Sequence, residues 1–407
     1  MTMILCRAAV EEGPGMELTS RALVYTLIAA ATAGLVATLW LWPRLARQRP
    51  LPVLGRLALL TVTQLAVLSV LLLSVNNSYG FYTSWNDLLR PGGAPLALAA
   101  HSPGAAPDHT ALVQPTAEGG LEAVPDVLPP GKPEEVGRVD SVRITGPESG
   151  LSDQVFVYLP PEYFNPRYAR ERFPVILALA GYPGPSLHLL DSLKLPQAAA
   201  DLQRTGRLAP TVIVMARPTV APPRDTECVD VPGGPKTETW FAKDIPTAVR
   251  SAYRVGRAAG SWGVLGYSTG GSCALRLAMR YPGSYESAAG LHADYTVPDD
   301  RWTDGDLFRG DAAAARQSDL GWRLKNLPAP RVGLLVVSTR TEDDYPATEQ
   351  FLATARQVAA AHPEFQVDSL LLPDGGHSFE TWRRELPAAL EWLSDHLAPP
   401  QDREPRS

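Results

Sequence analysis

Ser268 lies in VLGYSTGG, residues 264–271, with glycines two positions before it and two after. An apolar run precedes the octet and SCALRLAMRY follows, so strand periodicity gives way to helix periodicity at the serine. Gly266 and Gly270 relieve crowding in a sharp strand-to-helix turn, and such a turn lifts a serine Oγ clear of the sheet. The helix that follows aims its first backbone N–H groups, which lack intrahelical acceptors, at the same point. A serine held this way can attack a carbonyl carbon once a base takes its proton. The pentapeptide G-x-S-x-G alone is a weak signal, equally consistent with a structural glycine turn. Its place between a strand and a helix gives it weight.

The base and the acid must come from elsewhere in the chain, so the elements that carry them matter. From residue 139 onward, DSVRITG and QVFVYLP suggest an antiparallel hairpin at one edge of a sheet. Apolar runs then recur at 174–181, 210–217, 262–268, 285–293, 331–338 and 365–373, mostly separated by amphipathic helical stretches. Continuously apolar strands alternating with helices predict a mostly parallel sheet covered on both faces. That is the α/β-hydrolase layout, in which the order along the chain is serine, acid, histidine. His292, His362, His377 and His396 follow Ser268. His362 and His396 stand near predicted helix ends, and His292 comes too early for the order. His377, in LLPDGGHSFETW, follows a strand and a flexible Asp-Gly-Gly turn, and is the expected base. The acid belongs on the loop after the preceding strand, STRTEDDYP, where spacing does not separate Glu342, Asp343 and Asp344. An oxyanion formed on the substrate needs two backbone donors. Thr269, directly after the serine, supplies one. The other is expected from the loop Gly181-Tyr182-Pro183-Gly184, and Pro183 has no N–H, which leaves Tyr182.

Several stretches between about 139 and 397 resemble the esterase D family, in particular its antigen 85 or mycolyltransferase-like branch. PVILALAGYPG is similar to the strand and loop that supply an oxyanion donor, and KTETWFAKDIPTAV to the segment before the helix that precedes the nucleophile strand. LGYSTGG is similar to the elbow, and HSFETW to the run that holds the histidine. The resemblance implies acyl-ester chemistry by Ser268, His377 and an acid, and maps the acid best to Glu342, with Asp343 in reserve. The expected acyl-enzyme passes its acyl group to water, as in an esterase, or to an alcohol, as in an acyltransferase, and no metal or cofactor is required. Ala180 stands where the family has Asp, and Phe379 where Trp is usual, so trehalose-mycolate specificity is not carried over. Cys228 and Cys273 are candidates for a disulfide in an extracytoplasmic domain; the alternative is two small buried thiols. An inactive hydrolase fold serving as an envelope scaffold would lack a member of the set, and here all three have candidates. A serine peptidase on this fold carries a large propeller or lid, whereas residues 292–336 provide only a small cap.

Ahead of this domain, 22–40 and 57–75 each run 19 residues without a charge. At roughly 1.5 Å per residue either one crosses the hydrocarbon of a bilayer. Between them lie Arg44, Arg47, Arg49 and Arg56, which place that loop in the cytoplasm and both outer flanks outside. Tyr79, Phe81, Tyr82 and Trp85 would form an interfacial belt, and Gln64 would either bond across to the first span or be tolerated. Met16 is a plausible alternative start. Five segments are therefore expected: an N-terminal piece (1–21), a two-helix transmembrane anchor (22–75), an interfacial stretch and Pro/Gly/Ala-rich linker (76–136), the α/β-hydrolase domain (137–398) and a polar tail (399–407). The expected place is the plasma membrane, with the catalytic domain extracytoplasmic and acting on an acyl ester such as an envelope lipid or glycolipid. The chain's 407 residues carry a formal net charge of -6 with no basic cluster, which argues against a nucleic-acid partner. Cys-x-x-Cys and His-Glu-x-x-His are both absent, so no zinc site is expected.

Overall fold

The computed structural model describes residues 21–46, 50–79, 112–115, 122–124, 127–220, 224–299, 303 and 305–402. Residues 1–20, the belt aromatics Phe81, Tyr82 and Trp85, Arg47 and Arg49, and tail residues 403–407 lie outside that range. The chain divides into two compact units, Met1–Pro91 and Gly92–Ser407.

The first unit contains helices α1 (Arg21–Leu41) and α2 (Pro50–Tyr79). Both are long and apolar enough to cross a membrane, and most of their side chains are exposed rather than buried in protein. They pack on each other through small residues. A Cβ at Gly34 would lie 2.6 Å from Thr63 Oγ1, so only glycine allows this approach. The Thr63 hydroxyl is satisfied within its own helix, donating to Leu59 O at 2.8 Å. Thr63 therefore occupies the contact, while Gln64, the polar residue that stood out in the sequence, is exposed.

The second unit is built on a ten-stranded sheet. Its strands are β1 (Val113–Pro115), β2 (Glu122–Ala123), β3 (Arg138–Thr145), β4 (Ser152–Leu159), β5 (Val175–Leu179), β6 (Val212–Ala216), β7 (Trp262–Tyr267), β8 (Ser287–Leu291), β9 (Val332–Thr339) and β10 (Phe365–Leu372). The order across the sheet is β1-β3-β4-β6-β5-β7-β8-β9-β10, with β2 also pairing to β3. The β3–β4 and β4–β6 pairs are antiparallel, and from β6 onward every neighbour is parallel. This is the α/β-hydrolase sheet, with one difference from expectation. The β3–β4 hairpin does not end the sheet, because β1 and β2, drawn from the stretch assigned to the linker, pair outside it. A three-residue and a two-residue strand are too short to show a period.

Burial on both faces explains the unbroken apolar runs. Val175, Leu177 and Leu179 point into one core and Ile176 and Ala178 into the other, the two-residue alternation of a strand. The first core is covered by α4 (Ile245–Ala252), α5 (Thr269–Arg280) and α6 (Tyr345–Ala361). The second is covered by α3 (Leu195–Arg204) and α7 (Phe379–His396). On α7, Phe379, Trp382, Leu386, Ala389, Leu390 and Leu393 recur at helical spacing and are buried, and each large side chain so buried is worth roughly 1.5–3 kcal/mol. Where the parallel strands end, β7, β8, β9 and β10 send four loops to one rim.

Candidate active site

The turn after β7 carries Ser268 with φ 56° and ψ −132°, a backbone region that a non-glycine residue occupies only when its surroundings hold it there. Its N–H donates to Leu291 O at 2.9 Å, and its carbonyl accepts from Gly271 and Ser272 as α5 begins. Both flanking glycines are required. A Cβ at Gly266 would sit 2.1 Å from Gly270 O, and one at Gly270 would sit 2.3 Å from both Leu179 O and Ala180 O. The turn is thus wedged against the end of β5. Gly181, the residue before Tyr182, follows there, and a Cβ on it would lie 3.0 Å from Ser268 Cβ, so this loop approaches the serine closely. Thr269 is the first residue of α5, so its N–H has no acceptor within the helix.

His377 reaches the serine from the β10–α7 loop. Gly375 passes Thr339 and Thr381 closely with φ 146°, a conformation open to glycine. The Thr341 hydroxyl donates to Gly375 O at 2.6 Å, and Gly376 N–H donates to Thr381 Oγ1 at 3.1 Å. The imidazole stands edge-on to Trp382, ring centroids 5.0 Å apart. Its Nε2 is 2.8 Å from Ser268 Oγ and its Nδ1 is 2.8 Å from Glu342 Oε1. Residues 268, 342 and 377 therefore form one unbroken hydrogen-bonded line. Glu342 is nearly buried (8% of its side chain exposed) while His377 is open to solvent at 39%. Asp343, next along the same loop, is exposed, and Asp344 precedes the first turn of α6. Only Glu342 of the three acids is hydrogen-bonded to His377.

Sequence reasoning missed two further residues. His292, set aside for its position in the chain, follows β8 in a left-handed conformation (φ 51°) and donates its N–H to Val337 O at 2.8 Å. Its Nδ1 faces the second Glu342 oxygen, and its Nε2 lies 3.0 Å from both oxygens of Glu385 on α7. Glu385 and the His292 ring are fully buried. The only sequence signal was the position of His292 at the end of the strand beside β7. Burial pushes the Glu342 carboxyl up, but hydrogen bonds from His292 and His377 outweigh it and hold it down at about 2. Burial likewise opposes charge on His292, yet Glu342 and Glu385 prevail and raise it to about 9. His292, Glu342 and His377 offer ligand atoms within 4.8 Å of one another. A cation seated among them would have to part the Glu342–His377 hydrogen bond.

A loop is stapled to α5 beside the serine. Cys228 and Cys273 are joined by a disulfide, Cα atoms 5.5 Å apart. The buried Arg276 guanidinium donates to Glu227 O. Thr269 Oγ1 lies 3.3 Å from Asp225 Oδ2 on the same loop.

Comparison with known proteins bears on this arrangement. The Esterase family profile matches residues 150–393, which include every strand from β5 to β10 and all of Ser268, Glu342 and His377. An uncharacterised protein of Corynebacterium glutamicum is 24% identical over 278 residues, 64% of this chain, and the match spans only 62% of that relative's length. A ferulic acid esterase superposes with a TM-score of 0.54 at 17% identity, over 64% of this chain and 98% of its own. An S-formylglutathione hydrolase from Agrobacterium tumefaciens gives 0.53 at 14%, over 67% and 99%. A fluorophosphonate-binding serine hydrolase of Staphylococcus aureus gives 0.51 at 13%, over 63% and 98%. At these identities the solved structures speak for the α/β-hydrolase fold, and the family profile, covering more than half of the sequence, speaks for kinship: the chain belongs to the Esterase family of hydrolases.

Proposed function

We propose that this protein is a membrane-anchored serine esterase in which Ser268 is the nucleophile, His377 the base and Glu342 the acid. The observation that carries the reading is the line Ser268 Oγ–His377–Glu342, closed by two 2.8 Å contacts between residues 109 and 35 positions apart. In the first step His377 Nε2 takes the hydroxyl proton as Oγ bonds to the ester carbonyl carbon. Glu342 accepts from His377 Nδ1–H, fixes the tautomer and stabilises the imidazolium that forms. The Thr269 and Tyr182 amides are assigned to the oxyanion. Collapse of the tetrahedral intermediate expels the alcohol, which takes the proton from His377 and leaves an acyl-Ser268. Water, deprotonated by the same imidazole, then releases the acid. The solvent exposure of His377 favours water as the acceptor. A lipid or sugar alcohol is the alternative acceptor that would make the enzyme an acyltransferase, and the acyl ester of an envelope lipid or glycolipid is the proposed natural substrate.

Helices α1 and α2 support anchoring in the plasma membrane, with the esterase domain on the outer side. A signal sequence near the N-terminus is the competing reading of α1, although a second span in tandem does not suit one. The test of the chemistry is p-nitrophenyl butyrate hydrolysis by the full-length protein in detergent. Wild type should turn over, and S268A and H377A should each lose at least about 10³-fold in kcat/KM. Equal activity in S268A would defeat the assignment.

A further inference from the structure

The Ser268–His377–Glu342 line does not stop at Glu342. It continues through His292 to Glu385, two buried groups that the mechanism above leaves without a task. Each nitrogen of the His292 ring faces carboxylate oxygen, Nδ1 toward Glu342 and Nε2 toward Glu385. A neutral imidazole carries one N–H, so its other nitrogen would turn a lone pair toward a carboxylate lone pair. A ring protonated at both nitrogens donates on both sides, and it separates two carboxylates that would otherwise repel across a dry gap.

The remaining surroundings are consistent with this. Trp382 of α7 and His377 cover the ring edge-on, with centroids 6.3 Å and 5.9 Å away. Asp344, farther along the acid loop, lies within electrostatic reach of the ring although burial pushes its own carboxyl up, as it does that of Asp294 two residues after His292. His377 is the neighbouring group that gains positive charge during the reaction. Leu291, immediately before His292, accepts the Ser268 N–H, so one strand end fixes both the nucleophile turn and this ring.

We propose that His292 is a positioning residue: an imidazolium clamped between Glu385 and Glu342 that keeps Glu342 ionised and turned toward His377. This rests on reading Ser268, His377 and Glu342 as the triad. At rest the buried chain is negative at Glu385, positive at His292 and negative at Glu342. When His377 takes the serine proton the signs alternate along all four groups. Without His292 the two carboxylates face one another, one takes up a proton, and Glu342 no longer accepts cleanly from His377.

The test uses full-length protein in detergent. In protein labelled with ¹⁵N-histidine, both ring nitrogens of His292, assigned by their loss in H292Q, should resonate as imidazolium at pH 7.5. A neutral ring at that pH overturns the proposal. In kinetics on p-nitrophenyl butyrate, H292Q should lose roughly 10- to 100-fold in kcat with KM little changed, short of the ~10⁴-fold cost of a misdirected acid. The acid limb of its kcat–pH profile should move to higher pH. H292Q/E385Q, which removes the rival carboxylate, should recover about tenfold of the loss. Wild-type kcat and pH profile in H292Q overturn the proposal. If H292Q does not fold, E385Q serves instead: one histidine that is imidazolium in wild type should turn neutral by pH 7.5, and a ¹⁵N-histidine spectrum unchanged from wild type contradicts the clamp. S268A separates the two readings. Activity retained there ends the triad itself, whereas a dead S268A beside an unperturbed H292Q ends only the role of His292.

Discussion

Glu342 serves two imidazoles, one oxygen to each, and that division has consequences at the level of single side chains. E342Q keeps the shape of the side chain but offers His377 an amide that can present the wrong group. A kcat loss of about 10⁴-fold is expected, against a few-fold at most for D343N, whose exposed carboxylate touches neither histidine. Steady-state kinetics of the two variants checks this, and equal losses would move the acid to Asp343. The His292 clamp also has a signature in stability. Its folded value, raised to about 9, lies above the ordinary imidazole range near 6.5. The stabilisation it gives is therefore fully present below about pH 6.5 and is lost as pH rises through about 9. Glu342, held down at about 2, acts in the opposite sense, stabilising above about pH 4.3 and failing only as pH falls toward 2. Thermal melts from pH 6 to 10 should show wild type losing stability on the alkaline side and H292Q losing less. Parallel slopes would contradict the clamp.

At the level of elements, the strand–turn–helix at Ser268 and the glycine turn before His377 were legible because each is a local event with a local signature. Gly266, Gly270 and Gly375 mark the places where backbone meets backbone or a side chain too closely for a Cβ. The carboxylate that meets His377 could be read only to a loop, since Glu342, Asp343 and Asp344 are consecutive and which of them faces the imidazole is decided by the turn. His292 and Glu385 could not be paired at all. They are 93 residues apart, and what joins them is the docking of α7 across the end of β8. The same limit hid β1 and β2, whose register on β3 leaves no period in a proline-rich stretch. Two predictions belong here. G266A puts a methyl group against Gly270 O and should destabilise by several kcal/mol, at the top of the ordinary range for single substitutions. A melting temperature within a degree of wild type would mean the turn is looser than described. C228S or C273S opens a link between residues 45 apart and should cost roughly 2–4 kcal/mol in chemical denaturation. Reducing agent should lower the wild-type melting temperature and leave the variants unmoved.

For the molecule as a whole, an esterase-family domain follows a pair of apolar helices that meet at Gly34 and Thr63. If those helices cross the bilayer, the full chain sediments with membranes and resists alkaline carbonate, and added protease reaches the domain in intact cells. Release of the domain by carbonate would instead mean a cleaved leader or a peripheral attachment. The central claim is that one hydroxyl among all those in the chain is activated, and a fluorophosphonate reports on it directly. After reaction with the full-length protein, intact mass and peptide mapping should show a single adduct on Ser268. The adduct should be absent from S268A and form far more slowly in H377A. Labelling of S268A equal to wild type, or an adduct mapped to another residue, would contradict the account.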